Sequence, residues 1–551
     1  MTASHFSKLF YYVCTSHVKD SKMISYAADV LVVGAGPTGL ALSNALHKLG
    51  TSLMLIEVNT STSIHTKATN LMQGTLEQLS IYGLSDIMYR EGGSMKRYMM
   101  NTYGSNVSPR DMHLQESPHH NVIFLGQDLI DGNLAEEFLK TGNEIHFKNR
   151  LLKLEQTDEG VEATIDANGV EKVYWFKYVV GCDGARSITR TFTKCNFEPV
   201  RTGKYVWQAD ATLSWKRLKT MKQMWLYYYD IGFGAIIHLP NNLTKVMAFE
   251  PKESIPNRLP TLEEMQLKLR KMCGDETATL SNPQWLSHGE LLTGVAPSLI
   301  DNRIILAGDS CNPILPNGGQ GLNIGIQDGL NLAWKLSDVL QGYASKILLD
   351  TYNQERRGLR LALEKVQLNT LKYTLPAPKF NQWFLKKFGN LLLNKFWNNL
   401  AIVFSQLNLN YKDSDLSKDF LRKKGVIAGF RILDADIVKA STNTEVSLFQ
   451  ELATPKWKLI LFDNLKQCDL DKLLFEPEFS WINKLILTSS TITTYPIQNL
   501  YYDIDELAHK RYGIKEPTLL LIRPDNYVGL RCSPSNTDVM ITYLKNWFPH
   551  I

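Results

Sequence analysis

A chain of 551 residues is too long for one core, so about two to four domains are expected. Hydrophobic residues make up 44% and charged residues 21%, ordinary for a globular protein, and the net charge of +5 comes from scattered residues, which argues against a nucleic-acid partner. The seven cysteines (Cys14, Cys182, Cys195, Cys273, Cys311, Cys468 and Cys532) form no CxxC pair, so a cytoplasmic, reducing compartment is expected, with no disulfide framework and no metal site.

Residues 1–27 read as an N-terminal extension. The stretch "SKLFYYVC" is too short and poorly flanked for a signal peptide, no arginine precedes the first strand, and Met23 offers an alternative start. The fold begins with "DVLVVGAGPTGLALSNALHKLGTSLMLIE" (29–57), where a β-rich run, a glycine turn, a helical pattern and a second β-rich run make a βαβ unit. Residues 121–150 predict strand, helix and strand, and 151–181 predict hairpin strands turning at "DEG" and "ANG". Between 201 and 300 alternating aromatic strands such as "QMWLYYYDIGFGAIIHLP", with one helix, predict a separate sheet-rich domain. A buried strand at 302–307 and a helix at 320–340 follow. The stretch 371–424 reads as a helical connector, and 425–551 as a small α/β domain closed by the helix "TDVMITYLKNWF". No run is apolar enough to span a bilayer, and no internal repeat stands out.

The first fingerprint is Gly34, Gly36 and Gly39 between strand and helix, with Glu57 ending the next strand. The glycines permit the turn, the approach of a pyrophosphate and close helix–strand packing. The helix N-terminus faces the phosphates and the acid accepts from a ribose. An ADP-containing cofactor follows, but this motif does not separate FAD from NAD. Two acidic strand ends come later: "YVVGCDGARSITR" (178–190), with Asp183 and Gly184, and "RIILAGDSCNPILPNGGQGLN" (303–323), with Asp309. Each alone is compatible with a plain turn.

All three motifs in this order resemble the class A flavoprotein monooxygenases of the 4-hydroxybenzoate and phenol hydroxylase type. The resemblance covers about residues 28–415 and is carried most closely by "GGQGLNIGIQDGLNLAWKL" (318–336) and "YNQERR" (352–357). It implies an α/β fold. A Rossmann-like FAD-binding domain (28–200 and 301–370) carries an inserted sheet-rich substrate domain (201–300) and a thioredoxin-like C-terminal domain (425–551), the last suggested by "RPDNYVGLR" (523–531). It implies FAD contacts from Gly34, Gly36, Thr38, Gly39, Glu57, Lys67, Gln127, and Leu151 through its backbone. Asp183 and Gly184 would serve FAD and NAD(P)H, and Asp309 the ribityl chain. Pro316 would shape the wall near the flavin, and Gly318, Gly319, Gly321, Leu322 and Asn323 would sit by its N1 and C2 carbonyl, where a positive helix end steadies the reduced, anionic ring. The sequence departs from the family pattern at Lys67, usually arginine, at Val58, commonly basic, and at Asn312, often histidine.

With only one GxGxxG, NAD(P)H is expected as a transient co-substrate that reduces the flavin. Oxygen then gives a flavin C4a-hydroperoxide whose terminal hydroxyl passes to a phenolic or polycyclic aromatic ring. Trp225, Tyr227 and Tyr229 alternate along one strand with Phe233 in the next turn, and are expected either to wall the substrate or to form an ordinary sheet core. His238 and His288 are expected to be structural, and no catalytic base is assigned. The alternatives are a flavin-dependent dehydrogenase or reductase on the same fold, a flavin-binding protein without turnover, or a monooxygenase that inactivates a polycyclic antibiotic such as a tetracycline. The tail lacks CxxC, so packing or homodimer support is expected of it, as an independent core joined through the aromatic helical segment. The basic stretch "KFNQWFLKKFGNLLLNKFWNNL" (379–400) is expected to pack between FAD domain and tail, with a membrane-surface helix as the alternative.

Overall fold

The computed structural model describes residues 25–550 apart from 96, 112–113, 115, 218–222, 252–257, 317, 376–377, 422–424, 464–478 and 490–496. The chain opens with β1 (Ala28–Val33), α1 (Pro37–Lys48) and β2 (Leu53–Glu57). A hairpin of β3 (Arg97–Thr102) and β4 (Ser105–Asp111) follows. The chain then returns through α2 (Gln127–Lys140) to β5 (Ile145–Phe147), β6 (Asn149–Gln156), β7 (Val161–Ala167) and β8 (Val170–Gly181). The middle of the chain supplies β9 (Val200–Ser214), β10 (Gln223–Tyr229), β11 (Gly232–His238), β12 (Thr244–Pro251), α3 (Leu262–Cys273) and β13 (Thr279–Thr293). After β14 (Ile304–Leu306) come α4 (Gly321–Leu340), α5 (Gly358–Thr374) and α6 (Lys379–Ser405). The tail contains β15 (Lys458–Asp463), β16 (Asn483–Thr488), β17 (Thr518–Ile522), β18 (Val528–Cys532) and α7 (Thr537–Trp547).

The first sheet runs β14-β8-β1-β2-β5, all parallel, and β6 and β7 extend β8 as an antiparallel meander. Its central parallel segments, such as Val30–Val33, Leu53–Ile56, Tyr178–Gly181 and Ile304–Leu306, are apolar, as a sheet covered on both faces requires. Register decides what this sheet can do. Val33 pairs with both Ile56 and Gly181, and Gly181 pairs with Leu306. The chain therefore leaves β1, β2, β8 and β14 at one edge, which brings together residues as distant in sequence as Gly34, Glu57, Asp183 and Asp309. A crevice at the carboxyl ends of parallel strands is where open α/β sheets bind ligands. At Gly39 a side chain is excluded, because a Cβ there would sit 1.9 Å from the Gly34 carbonyl oxygen.

The second sheet has the order β13-β9-β12-β11-β10-β3-β4. The hairpin 97–111 thus joins it by a parallel pairing of β3 with β10, although it precedes the middle domain by about a hundred residues. Helix α3 covers one face. It starts on a capping box, in which Thr261 Oγ1 accepts from the Glu264 N–H and the Glu264 carboxylate accepts from the Thr261 N–H, and it ends on Gly274. Helix α6 lies along the hairpin: Thr102 Oγ1 donates to the Leu385 carbonyl (3.3 Å) and Trp397 meets Tyr98 edge-on at 5.7 Å. The expectation that this segment packs between FAD domain and tail is thereby corrected, since most of its inner face rests on the middle sheet.

The middle of the tail's eight-stranded sheet has the order β18-β17-β15-β16, with β17 antiparallel to both β18 and β15, β15 and β16 parallel, and the strand Leu500–Tyr502 parallel to β16 on its far side. Its core is not independent of the rest. Trp334 of α4 is buried in it and meets Trp457 edge-on at 5.8 Å. Beside this contact lies a buried charge junction. Glu355 accepts from both terminal nitrogens of Arg523 (2.6 and 2.9 Å), from Lys335 (2.6 Å) and from Ser414 Oγ (2.7 Å), and Arg523 also donates to Asp525. Burial alone would raise the Glu355 carboxyl, but Arg523 and Lys335 outweigh it and hold the group below the usual carboxylate range. Removing one partner would leave a charge buried and unpaired. Arg523→Ala is therefore expected to cost about 3–5 kcal/mol, read as a lower urea midpoint. An unchanged midpoint would contradict the junction's role in joining tail to body.

Candidate active site

One cavity of about 2010 Å³ runs from the strand ends of the first sheet to the uncovered face of the second. At the strand-end side, Glu57 is held rigidly: one carboxylate oxygen accepts from the Ala35 N–H (2.8 Å), the other from the Asn59 N–H (2.9 Å). Gly34, Gly36 and Thr38 line the cavity beside it, while Gly39 serves helix–strand packing and does not. A Cβ at Gly36 or Gly184 would meet open space, so these backbone segments present a bare concave surface. Lys67, Gln127, Leu151 and Val58 also line this groove.

The two later acids differ in character. Asp183 lines the cavity, but its carboxylate is committed to its own loop, accepting from Ser187 Oγ (2.5 Å) and from the N–H and Oγ1 of Thr189 (2.9 Å each). It shapes the turn that exposes Gly184. Asp309 also lines the cavity, and burial pushes its carboxyl up to about 6, against the pull of Arg360. It is ionised at neutral pH and titrates just below it.

Pro316, Gly318, Gly319, Gly321 and Leu322 form the next wall, at the N-terminus of α4. Gly319 has φ +67° and a Cβ there would meet Asn70 Oδ1 at 2.6 Å, so only glycine suits it. Asn323 does not reach the cavity. It accepts from the Met72 N–H (2.8 Å) and donates to the carbonyls of Asn70 (3.0 Å) and Gly319 (3.1 Å), pinning the turn to the segment 70–72. Asn312 is likewise structural, donating to the Gly294 carbonyl (2.5 Å) and accepting from Arg360 (3.0 Å).

The far wall corrects part of the aromatic expectation. Trp225, Tyr227 and Tyr229 share one face of β10, but that face is packed under α3 with Met265, Leu269 and Met272. Trp225 stacks on Tyr227 at 6.1 Å and meets Trp215 edge-on, away from the cavity. Tyr227 touches the cavity edge, yet its ring belongs to the same cluster. The physical reason is the two-residue period: once α3 takes the odd-numbered side chains, the even-numbered ones face the cavity. Met224, Leu226 and Tyr228 line it, with Phe233 stacked on Phe249 at 4.4 Å. His238 bonds Thr244 Oγ1 (2.8 Å) and His288 the Arg258 carbonyl (2.7 Å), and neither lines the cavity.

Two groove residues escaped the sequence reading. Arg186 lines the cavity in the Asp183 loop. Asp131, one helical turn after Gln127, is fully buried, lines the groove, and leaves Oδ1 without a hydrogen-bond partner. Burial holds its carboxyl well above the usual carboxylate range, against hydrogen bonding from Gln127 and the charge of Lys67. The i, i+4 spacing of Gln127 and Asp131 was the available signal. An orphaned buried oxygen in a groove with bare glycine walls fits a bound polar group.

The profile of the FAD binding domain matches residues 27–365. The chain belongs to this family. It is 26% identical over 533 residues to the 12-dehydrotetracycline 5-monooxygenase/anhydrotetracycline 6-monooxygenase of Streptomyces rimosus, covering 94% of this chain and 98% of that one. It is 32% identical over 333 residues to the rifampicin monooxygenase of Streptomyces venezuelae, covering 60% and 68% respectively. Among solved structures it superposes on the flavin-dependent monooxygenase PieE in complex with FAD and substrate, with a TM-score of 0.76 at 19% identity and coverage of 94% and 99%. This member of the family is a FAD-dependent monooxygenase of the aromatic hydroxylase class.

The Glu57→Ala variant is expected to bind FAD about tenfold or more weakly, since a hydrogen bond to a charged acceptor contributes about 1.5–3 kcal/mol. Equal affinity by flavin fluorescence quenching would contradict the ribose role. Because Asp309 titrates near 6, FAD affinity is expected to fall as pH drops through about 6. In Asp309→Asn that dependence should flatten and affinity at neutral pH should be lower. Asn312→His, away from the cavity, should lower the melting temperature more than the FAD affinity.

Proposed function

We propose that the protein hydroxylates a polycyclic, phenolic aromatic substrate with NAD(P)H and O2. The observation that carries this reading is one continuous cavity, at about 2010 Å³ some twice the upper end of ordinary ligand pockets of about 300–1,000 Å³. Its groove suits a dinucleotide and its far end is walled by Met224, Leu226, Phe233, Met247 and Phe249, which suits a large apolar ring system. The relative from Streptomyces rimosus, named for dehydrotetracycline and anhydrotetracycline, supports a fused-ring substrate.

FAD, when bound and reduced by the nicotinamide, would supply the two electrons that activate O2, one atom of which passes to the substrate while the other leaves as water. The rest falls to the chain. Glu57 accepts from the adenosine ribose, Leu151 meets the adenine through its backbone, and Asp309 accepts from the ribityl chain. The amide groups entering α4, from Gly318 to Leu322, offer the positive end of a 20-residue helix to the flavin's pyrimidine edge. The far wall excludes water, which keeps the reactive oxygen for the substrate. No titratable group on that wall is given the role of base.

We read the chain as a FAD unit from 28–200 and 301–370, a substrate unit from 201–300 and a connector from 371–424. We read the tail after 425 as thioredoxin-like, because β15, β16 and the strand Leu500–Tyr502 run parallel, β17 and β18 continue the sheet antiparallel on the other side of β15, and a helix closes the chain, which fits that fold. It has no redox part. Cys532 is buried, with its thiol pushed up to about 12 by burial, and Cys468 lies outside the described residues. Cys532→Ser should leave NAD(P)H oxidation unchanged.

A screen of fused-ring phenols is expected to find compounds that stimulate NAD(P)H oxidation and leave with one atom from labelled O2. Stimulated oxidation with no label in any product would favour the dehydrogenase or reductase reading. Narrowing the far wall by Met247→Trp should raise the KM for the substrate and leave the flavin spectrum unchanged.

A further inference from the structure

We propose that helix α6 is a docking surface for an anionic lipid bilayer, on which the protein lies peripherally. The helix is 27 residues long and contains Lys379, Lys386, Lys387 and Lys395 but no acidic residue. Its inner side is fixed: Gly389, Trp397 and Ala401 are buried, and the Thr102 and Tyr98 contacts bind it to β3. Its outer side keeps large apolar groups in solvent, with Phe380 69%, Trp383 53% and Leu391 67% exposed. Three such residues on one helix face form a patch of a kind that marks an interaction site.

The chemistry of the patch selects the partner. Phe380, Trp383, Phe384 and Phe388 form a chain of ring contacts at 5.2–6.2 Å, and the Lys387 ammonium sits 5.5 Å over the Trp383 ring. Aromatic rings with lysines among them suit the headgroup region of a membrane, where the rings enter the acyl boundary and the ammonium groups stay with the phosphates. The absence of acids suits negatively charged headgroups. It also counts against a second copy of the chain, because a two-fold contact through α6 would set four lysines against four with no carboxylate on the helix to pair them. Spanning is not at issue: among the described residues no helix is long and apolar enough to cross a membrane.

The place of the helix gives the docking a consequence. Leu400, Val403 and Phe404, in its last turns, line the cavity, as does Val366 on α5. Val366 and Val403 are also exposed, 59% and 45%, so the cavity reaches the surface at the C-terminal end of the docking helix. An apolar substrate dissolved in the bilayer would then meet the cavity without crossing water. This use rests on the aromatic hydroxylase reading; the docking does not, and vesicle binding is measured without turnover.

The test is flotation of the full-length, FAD-loaded protein with vesicles of phosphatidylcholine alone or mixed with phosphatidylserine. The protein is expected to float with the mixed vesicles at low salt, to stay behind with phosphatidylcholine alone, and to be released by high salt. A variant combining Lys386→Glu, Lys387→Glu and Lys395→Glu should keep its flavin spectrum and lose at least about tenfold in binding. Should it fail to fold, Phe380→Ser with Trp383→Ser carries the same expectation. Wild-type protein that ignores the mixed vesicles would overturn the proposal. So would equal binding by a folded variant, or a dimer that the Phe380→Ser, Trp383→Ser variant dissolves in the absence of any vesicle binding.

Discussion

A buried carboxylate, Asp328 in the middle of α4, is the point on which the site depends. Its two oxygens accept from the Gly308 N–H (2.9 Å), Arg356 Nε (2.6 Å) and the Arg360 guanidinium. The first bond ties the Asp309 turn to the helix whose N-terminus walls the cavity. Arg356 continues to the Ile324 carbonyl (2.9 Å) and Tyr411 Oη (2.8 Å), and Arg360 to Asn312. A buried ion cluster contributes little net stability over an apolar core, because desolvation offsets attraction. What it supplies is a fixed arrangement, since no member can leave without stranding a charge. Here the arrangement holds a strand end, a helix N-terminus and the connector in one register.

The same logic extends outward. One and two turns further along α4, Asn331 and Lys335 meet Glu355, and through it Arg523 of the tail. The helix whose N-terminus walls the cavity is thus braced from behind by the tail, with Trp334 driven into the tail's core. The tail thereby serves the site, because the position of the α4 N-terminus depends on what α4 is packed against. Arg523 is buried too deeply for solvent to screen this link.

Much of this was legible in the sequence, for a physical reason. Strand ends and glycine turns are local, and parallel strands in register must deliver Gly34, Asp183 and Asp309 to one edge. The face of β10 was not legible. Period two puts Trp225, Tyr227 and Tyr229 together, but only the docking of α3, which starts more than thirty residues later, decides that they turn away from the cavity. The hairpin 97–111 was read with the FAD domain because its pairing with β10 is non-local. Asp131 was hidden by its ordinary helical context. Its unpartnered oxygen exists only once α2 is folded against the groove.

The position of the bound cofactor decides how this site works. Crystals grown with FAD should show the adenosine ribose against Glu57, the ribityl chain against Asp309, and the isoalloxazine ring beside Gly318–Leu322 with one face open to Met224, Phe233 and Phe249. Density that places the ring away from the α4 N-terminus, or FAD outside this cavity, would contradict it.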